Sequence, residues 1–263
     1  MIKTFTVDAF TDKKFSGNPA AVCLIEKDLD DTTMLNIAAE MNLSETAFVK
    51  KLNDGFSLRW FTPKSEVELC GHATLASAHI LWQEGILKPD EEAVFHTVFK
   101  GKLTAKKTGD EIELNFPVNI PIQSDEIPEL EKALGVKPIR LGITDNHYLV
   151  ELKSEEELKN VSPDFELLEK LEKYGTILTC RSENKDIDFI SRFFAPAKGV
   201  KEDPVTGSAH CVLTPYWSSK LNKNTMKAFQ ASERGGNLTV TLAGERVLIA
   251  GNAVTVLSGN LMI

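Results

Sequence analysis

Glu45, in the stretch NLSETAFV, sets a carboxylate between a polar turn and an apolar run. Desolvation there would raise a glutamate from its ordinary pKa of about 4.3 toward neutrality, which suits a residue that takes a proton from carbon and returns it elsewhere. An exposed turn glutamate has the same local spelling. Two further segments place a glycine before a hydrogen-bonding side chain at the head of a small-residue run: Gly71 then His72 in ELCGHATLASAHIL, and Gly207 then Ser208 in EDPVTGSA. A helix N-terminus carries unpaired N–H groups and about half a positive charge, and glycine lets a ligand approach them, so two such starts together suit a small carboxylate. Each residue also has a structural use: His72 as a cap or a satisfied buried histidine, Ser208 as a common first-turn residue, and Thr206 as an N-cap. Asp203, before Pro204, is placed to cap as well, or to orient a histidine or accept a hydrogen bond from substrate.

The elements that must position these groups follow from the hydrophobic pattern. Alternating β-branched and aromatic residues predict strands over residues 3–8, 20–25, 46–51, 57–61, 93–98, 102–106 and 111–115. In the second half they predict strands near 139–142, 148–151, 176–180, 188–194, 227–230, 238–242 and 246–250. Helices are expected over 30–41, over 73–83 and onward from Gly207. The helix over 73–83 is apolar on nearly every side and must be enclosed. Acidic runs around Glu126 to Glu131 and Glu155 to Glu157 read as solvated helix faces.

The chain also repeats itself. RWFTPKSEVELCGHATLASA from Arg59 is echoed by RFFAPAKGVKEDPVTGSAHCVL from Arg192; the arginines lie 133 residues apart and the two helix-start glycines 136, which is about half of the 263 residues. Two copies of one unit predict two similar domains, each a strand-rich wall around its own helix, facing one another across a cleft. The three-proline segment 117–135 marks the boundary.

Composition narrows the function classes. A net charge of -8 with no basic stripe makes nucleic acid a poor partner. The first residues carry no signal-peptide pattern, and no window nears the roughly 18 apolar residues of a membrane span, so a cytoplasmic protein that does not enter the membrane is expected. Cys23, Cys70, Cys180 and Cys211 have neither metal-ligand nor disulfide spacing; no metal site is predicted, three are expected to be core thiols, and Cys70 stands apart beside Gly71 and His72. An exposed sheet edge is compatible with a homodimer.

In combination, FSGNPAAV, NLSETAFV, ELCGHATLASAHIL and EDPVTGSA resemble the motifs of the PhzF-like isomerases of phenazine biosynthesis, within the diaminopimelate epimerase-like fold; the match spans residues 15–209. The resemblance implies an α+β fold of two pseudo-symmetric domains, each a β-barrel-like sheet wrapped around a central α-helix. It places an N-terminal domain at 1–117, joined by a last strand from about 253 to 263, and a C-terminal domain at 118–252. It implies no cofactor and a small carboxylate substrate between the domains. Carried over by motif, Glu45 matches the family's general acid/base, while His72, Asp203 and Ser208 match residues that surround the ligand and Gly71 and Gly207 supply N–H groups. Asn18, in the Gly-Asn-Pro signature, reads as a turn device. Related epimerases set one cysteine before each helix-start glycine; here the positions hold Cys70 and Thr206, and an unactivated hydroxyl cannot replace a thiolate as a base near neutral pH. The expected function is a cofactor-independent proton shift on a small carboxylic acid. An amino-acid epimerase using Cys70 and a non-catalytic metabolite binder are the alternatives.

Overall fold

The computed structural model describes residues 1–263. The elements run β1 (Ile2–Ala9), β2 (Asn18–Ile25), α1 (Asp31–Met41), β3 (Glu45–Leu52), β4 (Gly55–Phe61), β5 (Glu66–Val67), α2 (Gly71–Gln83), β6 (Ala93–Thr97), β7 (Gly101–Thr108) and β8 (Glu111–Pro117). They continue with β9 (Ile122–Gln123), α3 (Pro128–Leu134), β10 (Arg140–Ile143), β11 (His147–Glu151), α4 (Glu155–Asn160), α5 (Phe165–Glu169), β12 (Gly175–Arg181) and β13 (Phe189–Phe194). The last are α6 (Gly207–Leu221), β14 (Thr225–Gln230), β15 (Gly236–Ala243), β16 (Arg246–Gly251) and β17 (Ala253–Leu261). The fold is a sheet-dominated α+β arrangement. Two compact units divide the chain: Met1–Asn115 with Leu248–Ile263, and Phe116–Val247. No helix is long and apolar enough to cross a membrane.

In the first unit, hydrogen-bonded neighbours run β17, β1, β2, β3, β4, β6, β7, β8. The β17–β1, β1–β2 and β3–β4 pairs are antiparallel, whereas β2 and β3 are parallel. Helix α2 packs against β17, β1, β2 and β3 and also against β7 toward the other end of the run, so the sheet curves around it. Every α2 residue from His72 to Ala78 is buried, together with Ile80, Leu81 and Trp82, as an all-round apolar helix requires. Helix α1 covers the other face through Met34, Ile37 and Ala38 against Cys23, Phe48 and Phe61. Its ends are well defined. Asp30 accepts a hydrogen bond from the Thr33 N–H at 2.8 Å, and Asn42 closes the helix in the left-handed conformation.

In the second unit, neighbours run β9, β10, β11, β12, β13, β14, β15, with β11–β12 and β13–β14 parallel. Helix α6 is anchored by Trp217, whose ring stacks on Phe189 at 5.7 Å and whose Nε1 donates to Thr179 Oγ1 at 2.9 Å. Pro215 interrupts the α6 ladder, since it has no N–H for the Cys211 carbonyl. The Asn119 N–H takes that carbonyl instead, at 3.1 Å. The boundary segment holds α3, where the acidic run around Glu126 to Glu131 suggests a helix face, with Pro128 at its first position and Gly135 as a left-handed cap. Here a local capping pattern outweighs the proline-rich composition. With α4 and α5, this helix buries Leu130, Leu134, Leu158 and Leu168 on the outer face of the sheet.

The sequence repeat has a structural counterpart in each unit. Arg59 grips Glu66 with two hydrogen bonds of 2.7 Å, and Arg192 grips Glu202 with bonds of 2.7 and 2.9 Å. Each guanidinium also lies over the phenylalanine two residues on, Phe61 at 5.1 Å and Phe194 at 4.8 Å. The forked, planar guanidinium suits both contacts at once.

Candidate active site

Glu45, Gly71 and His72 come together in the first unit. Because β2 and β3 are parallel with Ala20 opposite Glu45, Asn18 and Glu45 stand near the N-terminal ends of adjacent strands and project toward the same face, where α2 begins. Gly17 makes this possible. Its φ is +65°, and a Cβ there would lie 2.2 Å from the Ala9 carbonyl oxygen, so only glycine makes the turn that delivers Asn18 into the sheet.

His72 is 5% exposed and lies between these two residues. Its Nδ1 is 3.1 Å from Asn18 Nδ2, and its Nε2 is 3.3 Å from Glu45 Oε2. An amide nitrogen only donates, so Nδ1 accepts and the ring proton resides on Nε2, aimed at the carboxylate. Burial pushes the His72 pKa down to about 3. The contact therefore sets a neutral imidazole nitrogen against the Glu45 carboxylate. Cys70 Sγ lies against the same ring, 3.5 Å from Nδ1 and 3.9 Å from Nε2. The donor atoms of Glu45, Cys70 and His72 all fall within 4.8 Å of one another.

The start of α2 is built without a side-chain cap. Cys70 occupies the N-cap position in extended conformation and makes no cap hydrogen bond, while Thr74 Oγ1 donates back to the Cys70 carbonyl at 2.6 Å. The first N–H groups of the helix thus keep their partial positive charge for whatever lies before Gly71.

Asp203, Gly207 and Ser208 form the second group, in the other unit. Thr206 is the N-cap of α6 and, like Cys70, makes no side-chain cap bond. Its hydroxyl donates to Asp203 Oδ2 at 2.5 Å rather than accepting from the helix. Gln230, fully buried on β14, supports this turn through three bonds. Its Oε1 accepts from the Thr206 N–H at 2.8 Å, and its Nε2 donates to the Asp203 carbonyl at 2.7 Å and to Thr206 Oγ1 at 3.2 Å. Gly207 is buried and Ser208 is exposed at the helix start. His210 takes the place that Thr74 has in α2, with Nδ1 2.8 Å from the Thr206 carbonyl.

The residues that sequence reasoning left out are Asn18 and Gln230. Asn18 had a visible signal in the Gly-Asn-Pro signature, which serves at once as a turn and as the mount for a histidine partner. Gln230 had none, because it lies 24 residues from Thr206 in an ordinary strand. Cys23, Cys180 and Cys211 are buried thiols that burial pushes up to about 11, about 12 and about 12, so they are inert as nucleophiles.

Comparison with known proteins adds three findings. The family model described as phenazine biosynthesis-like protein, PhzC-PhzF, matches residues 7–259. A Halalkalibacterium halodurans protein named as an uncharacterized isomerase is 52% identical over 260 residues, covering 98% of each chain. The crystal structure of a PhzF-family protein from Enterococcus faecalis superimposes with a TM-score of 0.95 at 41% identity, over 100% of this chain and 99% of that one. As fold alone, the likeness reaches a probable proline racemase from Agrobacterium radiobacter, with a TM-score of 0.68 at 11% identity, over 100% of this chain and 93% of that one.

Proposed function

Because the chain belongs to the phenazine biosynthesis-like PhzF family, we propose that it is an isomerase that moves one proton on a small carboxylic acid, with Glu45 as general acid and base. The observation that carries this reading is the close approach of the buried, neutral His72 to Glu45, Nε2 to Oε2 3.3 Å, with Asn18 against the opposite ring nitrogen. A base must be fixed within hydrogen-bond reach of the proton it takes, and a single carboxylate serves both half-reactions by redelivering a proton that exchanges with solvent while it resides on the acid.

The Glu45 carboxylate abstracts a proton from a carbon activated by a neighbouring unsaturated or carbonyl group. The negative charge spreads along the conjugated system, and Glu45 delivers the proton to the far end. No atom is gained or lost, and no cofactor is assigned a role. The uncapped start of α2 at Gly71 offers backbone N–H groups to the developing charge, which is where preorganised dipoles are worth most. Asp203, Gly207 and Ser208 are proposed as substrate-binding residues, with the uncapped start of α6 taking the carboxylate group.

The test is a thermal-shift screen of small cyclic and unsaturated carboxylic acids, followed by proton NMR of each hit in deuterium oxide. Deuterium uptake at carbon supports the isomerase; hits that bind and never exchange support a metabolite binder. Cys70→Ser separates the epimerase alternative, which loses all turnover without the thiol. The Thr206 hydroxyl, engaged by Asp203, supplies no second thiolate for that chemistry.

A further inference from the structure

Glu45, Cys70 and His72 present one carboxylate oxygen, one sulfur and one ring nitrogen on a single side of the α2 start. His72 Nε2 is 3.3 Å from Glu45 Oε2 and 3.9 Å from Cys70 Sγ, and no ligand atom of the three is more than 4.8 Å from another. A zinc ion with bonds of about 2.0–2.1 Å to nitrogen and oxygen and about 2.3 Å to sulfur separates its tetrahedral ligands by roughly 3.4–3.6 Å. The triangle is therefore the size that one ion closes once Cys70 Sγ, which lies nearer Nδ1 at 3.5 Å than Nε2 at 3.9 Å, turns toward the Nε2 edge of the ring. Its donor types, one thiolate, one imidazole and one carboxylate, are those zinc prefers, and three protein ligands leave a fourth position for water or a substrate oxygen. Cys70 is 6% and His72 5% exposed, while the Glu45 side chain keeps 19%, so the ring and thiol sit in a shielded wall and the carboxylate faces the entry side.

The outer contacts fit as well. A histidine bound to metal through Nε2 carries its proton on Nδ1 and normally donates it to a carbonyl or carboxylate oxygen. Asn18 supplies either role, because turning its side-chain amide replaces Nδ2 with Oδ1 against Nδ1. Binding then moves the ring proton from Nε2 to Nδ1 and releases the thiol proton of Cys70 to solvent. The second unit has no counterpart: the corresponding positions hold Thr206 and Ser208, whose neutral hydroxyls are poor zinc ligands.

We propose that Glu45, Cys70 and His72 form a site for a single zinc ion, and that zinc there inhibits the protein by converting its base into a ligand. The inhibitory half rests on the proton-shift function proposed above; the binding half does not. Calorimetric titration of the chelator-stripped protein with zinc chloride is expected to give one zinc per chain. Cobalt(II) in its place is expected to give a near-ultraviolet thiolate-to-metal charge-transfer band. Cys70→Ser removes that band and weakens zinc binding by about 100-fold, and Glu45→Gln weakens it by about tenfold, with circular dichroism confirming that each variant is folded. Absence of stoichiometric binding, or affinity and band that survive Cys70→Ser, overturns the site. Deuterium uptake is expected to fall in proportion to bound zinc and to return on adding chelator. Uptake unchanged at one bound zinc overturns the inhibitory role. If the stripped protein shows no uptake with any acid, the isomerase reading fails on its own and the titration still decides the site.

Discussion

The starts of α2 and α6 use the same backbone and different chemistry. Each follows an Arg-x-Phe-x-Pro strand whose arginine grips a glutamate, each has an extended N-cap without a side-chain cap bond, and each places glycine first. In α2 the flanking residues are a thiol and a buried imidazole 3.3 Å from a carboxylate. In α6 they are a hydroxyl tied to Asp203 and an exposed serine. The arginine clamp and the enclosed helix act as scaffold and recur, whereas the side chains at the helix mouth have diverged. The difference teaches that a helix start takes its character from its neighbours: the same N–H groups lie beside a carboxylate, an imidazole and a thiol in one unit and beside a polar turn in the other.

The largest expected effect sharpens this contrast directly. His72→Gln removes the ring that holds Glu45, and deuterium uptake is expected to drop about 100-fold with little change in KM, since a misplaced base costs about that much. Ser208→Ala at the matching position is expected to raise KM a few-fold and leave kcat nearly unchanged. Steady-state uptake rates measure both; equal kcat losses at the two starts would break the division of labour. Next come the clamps. Arg192 also donates through Nη1 to the Val161 carbonyl at 2.7 Å and its side chain is 12% exposed, against 22% for Arg59. Arg192→Lys is therefore expected to cost about 2 kcal/mol in urea unfolding and Arg59→Lys about 1 kcal/mol. The reverse order would mean that the contact of Arg59 with Asp31 at 2.9 Å outweighs the carbonyl contacts of Arg192.

A smaller effect is expected at the Asp203 turn. Asp203→Asn weakens the hydrogen bond from Thr206 and is expected to raise KM about tenfold while kcat holds; a kcat loss as large as that of His72→Gln would move acid/base chemistry to the second helix start. The smallest concerns His147, a buried residue whose ring packs edge-on to Tyr174 and Phe193 and whose nitrogens make no hydrogen bond. Burial pushes its pKa from 6.5 down to about 4. The unfolded chain takes up that proton near pH 6.5 and the folded chain only near 4, so stability is lost as pH falls through this window. His147→Leu removes this contribution, and its Tm is expected to fall less than that of the unaltered protein between pH 6.5 and 4. Parallel Tm curves would place the acid sensitivity elsewhere.

Much of the scaffold was legible in the sequence, because strand alternation and the all-round apolar stretch from Ala73 are period signals that burial imposes directly. The main strands of both halves follow from them, while the α+β class came from the resemblance of the motifs to a known family. The short helix α5 was not legible, since five residues make too few turns to show a period, whereas α3 and α4 showed only as acidic runs. At the site, residue types could be read while contacts could not. Glu45 and His72 stand out by composition, yet the contact between them depends on the parallel pairing of β2 and β3. Asn18 lies in a visible motif, but Gly17 alone accounts for the turn, so the motif does not show that its neighbour meets a histidine.

The central claim is that one carboxylate carries the proton. Its most direct test is Glu45→Gln examined with an acid that the unaltered protein both binds and deuterates. The account predicts that deuterium uptake at carbon falls by at least about 100-fold while the acid's Kd changes little. Uptake that persists in Glu45→Gln at a rate near that of the unaltered protein would contradict it.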